Sequence, residues 1–169
     1  MTDPDYGEAA VVALGANLPG RFASCSLLLD AAVARLAQEG LRVLACSGWW
    51  QSAAWPDPSQ PPYLNGVALV ETGRPPQDLL DLLRGVERDF GRTEGFRNAP
   101  RTLDLDLIAF GQCVMETPDL ILPHPRAAQR LFVVGPLAQI APAWRHPVTG
   151  DTAADMTQYA TVGRDAVPV

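Results

Sequence analysis

The chain has 169 residues, 47% of them hydrophobic, and a formal net charge of −6 at pH 7, which argues against disorder and against a broad nucleic-acid interface. We therefore expect one domain over 1–169, with 1–8 and 151–169 at its periphery, that binds no nucleic acid. The three cysteines lack CxxC spacing, so we expect neither zinc nor disulfides. The acidic N-terminus has no apolar signal region, and no apolar run is long enough to span a membrane. We therefore expect a cytoplasmic protein without membrane contact.

The first part of the chain predicts a strand, a helix and a second strand. The apolar run at 9–14 is typical of a buried strand, and apolar residues recur at helical spacing between about 24 and 39. A second strand is expected at 41–47. The next segment, WWQSAAWPDPSQPPY at 49–63, is rich in proline and aromatic residues, so we interpret it as a loop of the long kind that is often functional.

The second part predicts a strand at 64–72, a helix at 77–90 after a proline pair, and a strand at 102–110. Further short elements are expected at 113–116, 126–131 and 135–140. The order β-α-β-β-α-β predicts an α+β fold of ferredoxin-like type. In that fold an antiparallel sheet carries its helices on one face, and here extra C-terminal elements follow.

Two acidic residues begin the strand within RTLDLDLIAFG (101–111). Because side chains alternate along a strand, Asp104 and Asp106 share one face, and Ile108 and Phe110 are expected to continue it. Two neighbouring carboxylates repel each other unless a cation lies between them, and Mg²⁺ commonly takes one or two carboxylates plus substrate phosphates. A metal site is one interpretation. An edge strand protected by charge is the alternative.

Basic residues flank this strand on both sides. Arg92 and Arg101 lie in or beside the polar loop before it, and guanidinium groups suit phosphate oxygens. After it, His124 lies between two prolines, with Arg126 and Arg130 nearby. Acids beside such arginines are typical of phosphoryl transfer, where positioning and charge neutralisation dominate. The alternatives are a solvated polar loop and a histidine that only stabilises a turn.

Aromatic and amide residues form a third candidate group. Tyr63 and Asn65 alternate at the start of the third predicted strand, so they share a face, and Trp55 and Phe132 could lie close by. A flat heteroaromatic ligand would need stacking rings and an amide that pairs with its edge. The alternative is that these are ordinary core aromatics.

With these motifs assembled, the chain resembles the 6-hydroxymethyl-7,8-dihydropterin pyrophosphokinases of folate biosynthesis. The resemblance covers roughly 9–150. It rests on the segments ALGANL, PPYLNGVALVET, PRTLDLDLIAFG and LPHPRAAQRLFVVGPLAQIAP, in the family's order. It implies that ATP donates its diphosphate to the pterin hydroxymethyl group, leaving AMP. The implied partners are ATP and the pterin. Separately, we expect a monomer.

The resemblance also implies roles for individual residues. Asp104 and Asp106 would hold two Mg²⁺ ions that bridge the triphosphate, and the catalytic arginines Arg92 and Arg101 would grip ATP. The remaining ATP-binding residues would be Glu87, His124 and Arg130. The pterin-binding residues would be Ser52, Trp55, Tyr63, Asn65 and Phe132, with the pterin stacked between Tyr63 and Phe132 and its edge read by Asn65.

Two functions of other classes fit parts of the pattern. A ferredoxin-like ligand-binding or regulatory module would share the element order, but it would not need two acids backed by arginines. An RNA-binding sheet would need aromatic residues on its central strands and a basic surface, and the charge of −6 argues against it.

Overall fold

The computed structural model describes residues 6–54, 57–91 and 102–169. This part of the chain has α+β architecture. Its strands are β1 (Ala10–Ala16), β2 (Arg42–Cys46), β3 (Trp50–Ser52), β4 (Tyr63–Glu71), β5 (Asp104–Phe110), β6 (Met115–Glu116), β7 (Ile121–Leu122) and β8 (Val167–Pro168). Its helices are α1 (Cys25–Gln38), α2 (Pro76–Asp89), α3 (Leu131–Ile140) and α4 (Ala153–Tyr159), with a short 3₁₀ turn at Ala127–Gln129. Among these helices, none is long and apolar enough to cross a membrane.

The two long helices begin and end where local sequence signals predict. The Ser24 side chain accepts a hydrogen bond from the backbone N–H of Leu27 and so caps α1. Pro76 occupies the first position of α2, where its missing N–H costs nothing. Gly91 follows α2 with a φ of +91°, a left-handed conformation that glycine adopts without strain.

The six-stranded antiparallel sheet has the order β5-β1-β4-β3-β8, and β2 also pairs with β4. Both β2 and β3 lie along the same edge of β4: β2 pairs with its C-terminal half and β3 with its N-terminal end. The prediction that 49–63 is entirely loop was therefore wrong at β3. Three residues are too few to show a periodic pattern, and the unpaired edge of β4 supplies the hydrogen bonds that make them a strand.

The sheet is covered on both faces. Helices α1 and α2 pack on one face, around Leu28, Leu83 and the inward residues of β1. Helices α3 and α4 pack on the other face, around Val134 and Met156. The predicted placement of helices on one face concerned α1 and α2, which do share a face. The extra C-terminal helices, for which no face was predicted, cover the other. All seven residues of β1 are buried, because the central strand lies between the two layers.

A β-bulge changes the alternation in β5. Val11 pairs with Ala109 and Val12 pairs with Leu107, so Ile108 has no partner across the strand pair. Ile108 packs in the core under α3, as the face of the two acids requires, but Phe110 packs against the core under α1 and α2. The prediction that Phe110 shares the face of the acids was wrong, since the extra residue shifts the alternation by one.

The C-terminal segment, predicted to be peripheral, contributes to the core and to the sheet. Ala153 and Met156 of α4 are buried against α3. Strand β8 then pairs with β3 and extends the sheet by one short strand. The hydroxyl of Thr152 and the carboxylate of Asp155 form a capping box that starts α4.

Candidate active site

Two of the predicted site residues lie in one row across the sheet. Gly15 of β1 is paired with Asn65 on β4 and with Asp104 on β5. The next row on this face places Ala13 between Val67 and Asp106. The small residues at 13 and 15 leave an open strip between the amide of Asn65 and the two carboxylates, which are themselves partly exposed. A Cβ atom on Gly15 would lie 2.9 Å from Oδ1 of Asn65, so even a methyl group would intrude.

The outer edge of β5 forms hydrogen bonds with two other segments of the chain. The backbone N–H of Leu105, between the two aspartates, donates to the Glu87 carboxylate at 2.9 Å. Further along, the carbonyl of Ile108 accepts a hydrogen bond from the backbone N–H of His124 at 2.7 Å. These contacts satisfy backbone groups that an edge strand would otherwise leave open. They place Glu87 behind the acids and bring His124 alongside them.

His124 has the electrostatics of a neutral hydrogen-bond donor. Desolvation lowers its pKa from the ordinary 6.5, Arg130 and Arg126 lower it further, and Asp104 opposes the shift. Its Nδ1 atom accepts a hydrogen bond from the Arg126 backbone N–H at 3.2 Å. The neutral ring must therefore carry its proton on Nε2, which makes Nε2 a donor suited to a phosphate oxygen.

Arg130 and Phe132 are brought together at the start of α3. The Arg130 guanidinium lies 5.9 Å from the centroid of the Phe132 ring. Arg130 is half-buried, and within the described ranges it forms no ion pair with a carboxylate. The charge of Arg130 helps to lower the pKa of His124, so this guanidinium makes the surroundings of the neutral His124 ring, beside Asp104, a positive region. Such a region attracts an anion.

Ser52, Tyr63 and Asn65 form the opposite wall. Ser52 of β3 is paired with Tyr63, and its hydroxyl accepts a hydrogen bond from Asn65 Nδ2 at 3.2 Å. Asn65 is 9% exposed, so this amide is largely desolvated and its orientation is fixed by the bond. The buried side chain of Asn17 donates to the carbonyl of Pro61 at 3.2 Å and anchors the end of the long loop beside this wall.

A cleft of about 250 Å³ adjoins the acids on the side of the β6–β7 hairpin. Asp106 and His124 line it together with Asp119 from the hairpin turn. Asp119 accepts hydrogen bonds from Arg84 at 2.9 Å and from Gln77 at 2.7 Å, which lower its pKa. Helix α2 thus fixes the turn that forms one wall of the cleft.

The donor set around Asp104 and Asp106 suits a hard cation whose other ligands come from a substrate. Both are carboxylates on one face of one strand, and Mg²⁺ prefers oxygen ligands. Within the described ranges, no group of three or more histidine, cysteine or acidic side chains could hold a metal by itself. Phosphate oxygens would have to complete the coordination, as is usual for Mg²⁺ in nucleotide-dependent enzymes.

Three of the predicted site residues, Trp55, Arg92 and Arg101, lie outside the described residues. The roles assigned to these and to the other site residues remain predictions. Sequence reasoning also missed residues that shape the site. Gly15 and Asn17 are among them, although an asparagine directly after a buried strand is a signal for a capping or binding role. The Arg84–Asp119 pair has no local signal, because its members are 35 positions apart.

Residues 11–142 match the family described as 7,8-dihydro-6-hydroxymethylpterin-pyrophosphokinase. A 2-amino-4-hydroxy-6-hydroxymethyldihydropteridine pyrophosphokinase of Synechocystis sp. is 41% identical over 150 residues, which cover 88% of this chain and 74% of the relative. The enzyme of the same name from Pseudomonas aeruginosa is 40% identical over 140 residues, covering 83% and 85%. The chain belongs to this pyrophosphokinase family. The resemblance inferred from the sequence motifs is thereby confirmed, and with it the expectation of a pyrophosphokinase of folate biosynthesis.

Among solved structures, HPPK-DHPS of Plasmodium falciparum with pteroate superposes with a TM-score of 0.69 over 89% of this chain. The identity is 12%, so this likeness supports the fold alone. The pyrophosphokinase chain spans only 42% of that Plasmodium chain. It likewise spans 19% of the folic acid synthesis protein fol1 of Pneumocystis carinii, to which it is 36% identical over 143 residues.

Proposed function

We propose that the chain transfers the diphosphate of ATP to the hydroxymethyl group of 6-hydroxymethyl-7,8-dihydropterin, giving AMP and the pterin diphosphate. The observation that carries this proposal is the row formed by Asn65, Gly15 and Asp104. Two strand spacings, about 10 Å in all, separate the backbone of Asn65 from that of Asp104. A bicyclic pterin with its hydroxymethyl arm spans a comparable distance. One substrate could therefore have its ring at Asn65 and its reacting oxygen near Asp104.

In this proposal the pterin binds on the Asn65 side of the row. The fixed amide of Asn65 pairs with the donor–acceptor edge of the ring, and Ser52 holds that amide in place. Tyr63 and Phe132 supply the stacking faces, and Trp55, which lies outside the described residues, would be a further pterin-binding residue. Both described aromatic rings are half-buried, as expected of side chains that present one face to a ligand.

ATP binds on the other side of the row. Its nucleoside occupies the cleft beside the β6–β7 hairpin, and its phosphates face His124 and Arg130. His124 donates from Nε2, and Arg130 contributes charge. Glu87 acts through the backbone of β5 by holding Leu105 between the two acids. Arg92 and Arg101 would add positive charge from the loop before β5.

Asp104 and Asp106 would hold Mg²⁺, two ions in this proposal, which supply charge neutralisation along the triphosphate. The chain's own groups then position the reactants. The hydroxymethyl oxygen bonds to the β-phosphorus while the bond from that phosphorus to the α,β-bridging oxygen breaks. AMP leaves with the bonding electrons, and the hydroxyl proton is released. Because such transfers depend mainly on alignment and charge, a strong protein base is not required.

We also infer that the sheet is of ferredoxin-like type. The strands of the β-α-β-β-α-β unit run in the order β5-β1-β4-β2, all antiparallel, and α1 and α2 cover the same face. Strand β3 occupies the rest of the β4 edge, and β8 extends it. This is the arrangement that the element order predicts.

The test is to incubate the protein with ATP, Mg²⁺ and 6-hydroxymethyl-7,8-dihydropterin and to identify the nucleotide product. We expect AMP, formed only when the pterin and Mg²⁺ are both present. ADP as the product, or turnover independent of the pterin, would refute the proposed reaction. Pterin binding without any turnover would instead favour a ligand-binding module of the same fold.

A further inference from the structure

The C-terminal strap, which we define as residues 161–166, joins the two walls of the candidate pterin pocket. At one end it follows the start of α3: the carbonyl of Val162 accepts a hydrogen bond from the Leu131 N–H, and the Val162 N–H donates to Gln129. At the other end it leads into β8, which pairs with β3. The strap therefore connects the element that carries Phe132 to the element that carries Ser52.

Within the strap, Gly163 lies directly against the ring of Phe132. A Cβ atom on Gly163 would clash with the Cδ1 and Cε1 atoms of that ring. The φ angle of Gly163 is +71°, which glycine adopts freely and other residues adopt only with strain. Because Gly163 has no side chain, its backbone can pack directly against the Phe132 ring.

Two residues later, Asp165 reaches the other wall. Its carboxylate accepts a hydrogen bond from the backbone N–H of Ala53 at 2.6 Å. Ala53 directly follows Ser52, the residue that orients Asn65. A short hydrogen bond to an ionised acceptor is stronger than one to a neutral acceptor. This bond fixes the point at which the chain leaves β3 and enters the loop.

We propose that the C-terminal strap sets the width of the pterin pocket, with Gly163 and Asp165 as positioning residues for the pterin. This inference rests on the proposed function, because it assigns Phe132 and Ser52 to the pterin site. The backbone of Gly163 limits how far the Phe132 ring can move away from the pocket. Asp165 fixes the position of Ser52 and, through it, of Asn65. Neither residue contacts ATP in this scheme, so both act on one substrate only.

The test compares Gly163→Ala and Asp165→Ala with matched controls. Gly150→Ala places a methyl group at another glycine with positive φ, +76°, where nothing lies within 4 Å. Asp165→Asn keeps a carbonyl oxygen that can accept the bond from Ala53. Glu71→Ala removes an exposed carboxylate at the far end of β4, where Glu71 is paired with Arg42 at 3.6 Å.

Steady-state kinetics would give kcat and the KM for each substrate, and calorimetry would give the Kd of plain pterin, which lacks the hydroxymethyl acceptor. We expect the KM for 6-hydroxymethyl-7,8-dihydropterin and the Kd of pterin to rise about tenfold in Gly163→Ala and Asp165→Ala, since a pocket displaced by a fraction of an ångström loses its fit. The KM for ATP should stay unchanged. Gly150→Ala and Glu71→Ala should behave as wild type, and Asp165→Asn should recover most of the affinity.

If the wild-type protein is active and both test variants bind pterin as it does, the proposed role of the strap is wrong and the proposed function is unaffected. An equal rise in both KM values would also overturn the role of the strap, because that pattern reports general distortion. If the wild-type protein neither binds pterin nor forms AMP, the proposed function is wrong, and the proposed role of the strap is wrong as well. Should Gly163→Ala fail to fold, the comparison of Asp165→Ala with Asp165→Asn decides the matter.

Discussion

Asn65 and Asp104 lie on the same face of the sheet, two strands apart, and the residue between them in their row is Gly15. The amide belongs to the proposed pterin pocket and the carboxylate to the proposed metal site. Glycine leaves the space between them open, so that one bound molecule could reach both. Most of the testable consequences of the structure start from this row and from the edge of β5 beside it.

Replacing Gly15 by alanine should weaken pterin binding with little effect on the fold. The new methyl group would lie 2.9 Å from Oδ1 of Asn65 and would force the amide to move. We expect the pterin KM to rise about tenfold while the melting temperature changes little. Gly73→Ala is the matched control, because a methyl group there meets nothing within 4 Å. Equal KM values in the two variants would remove Gly15 from the site.

Replacing Asp106 by asparagine should abolish most of the Mg²⁺-dependent turnover. The variant keeps the size of the side chain but loses the charge that the cation requires, so kcat should fall by about a hundredfold or more. Circular dichroism and thermal unfolding should resemble wild type, since Asp106 is partly exposed. Asp81→Asn on the exposed side of α2 is the control. Wild-type turnover of Asp106→Asn across a Mg²⁺ titration would contradict the metal assignment.

Glu87 should affect stability through the backbone of β5. Glu87→Ala would leave the N–H of Leu105 without its acceptor in a buried position, at a cost of about 1–3 kcal/mol in the free energy of unfolding. Glu87→Gln keeps an acceptor oxygen and should recover most of that loss. Urea unfolding of the two variants measures the difference. If alanine and glutamine destabilise the protein equally, the hydrogen bond to Leu105 is not the cause.

The two histidines should make the protein less stable as the pH falls below neutral. Burial lowers the pKa of both His124 and His146 from the ordinary 6.5, so the unfolded chain binds protons more readily than the folded one. The free energy of unfolding must then decrease as the pH drops through about 6.5 and below. Protonation of His146 would also displace the N–H groups of Val148 and Thr149 from its Nδ1.

Denaturant unfolding between pH 7.5 and 5 would measure this slope. The chain contains two histidines, so the double variant His124→Gln/His146→Gln should show a much flatter profile over this range. Each single variant should remove part of the slope. A double variant that keeps the full wild-type slope would assign the pH dependence to other groups.

Local patterns were enough to predict most of the elements and the shared face of the two acids. The alternation in β5 placed Asp104 and Asp106 on one face, and helical spacing with proline and glycine signals placed α1 and α2 within about a residue at each end. The same reasoning failed at Phe110, because a bulge depends on how β5 pairs with β1 and not on the order of residues within β5. It failed at β3, because a three-residue strand takes its identity from its neighbour.

The amino-acid sequence by itself determined the chemistry that this protein can offer: paired carboxylates, flanking guanidinium groups and an amide next to an aromatic residue. These features are encoded by neighbouring positions, whose spacing decides which face they share. Only the tertiary structure decided what stands beside them. Asp165 meets Ala53 across 112 positions, and the N–H of Leu105 meets Glu87 across 18. Such contacts depend on strand register, on one bulge and on the packing of helices over both faces, because distant segments approach each other only once the whole sheet has formed.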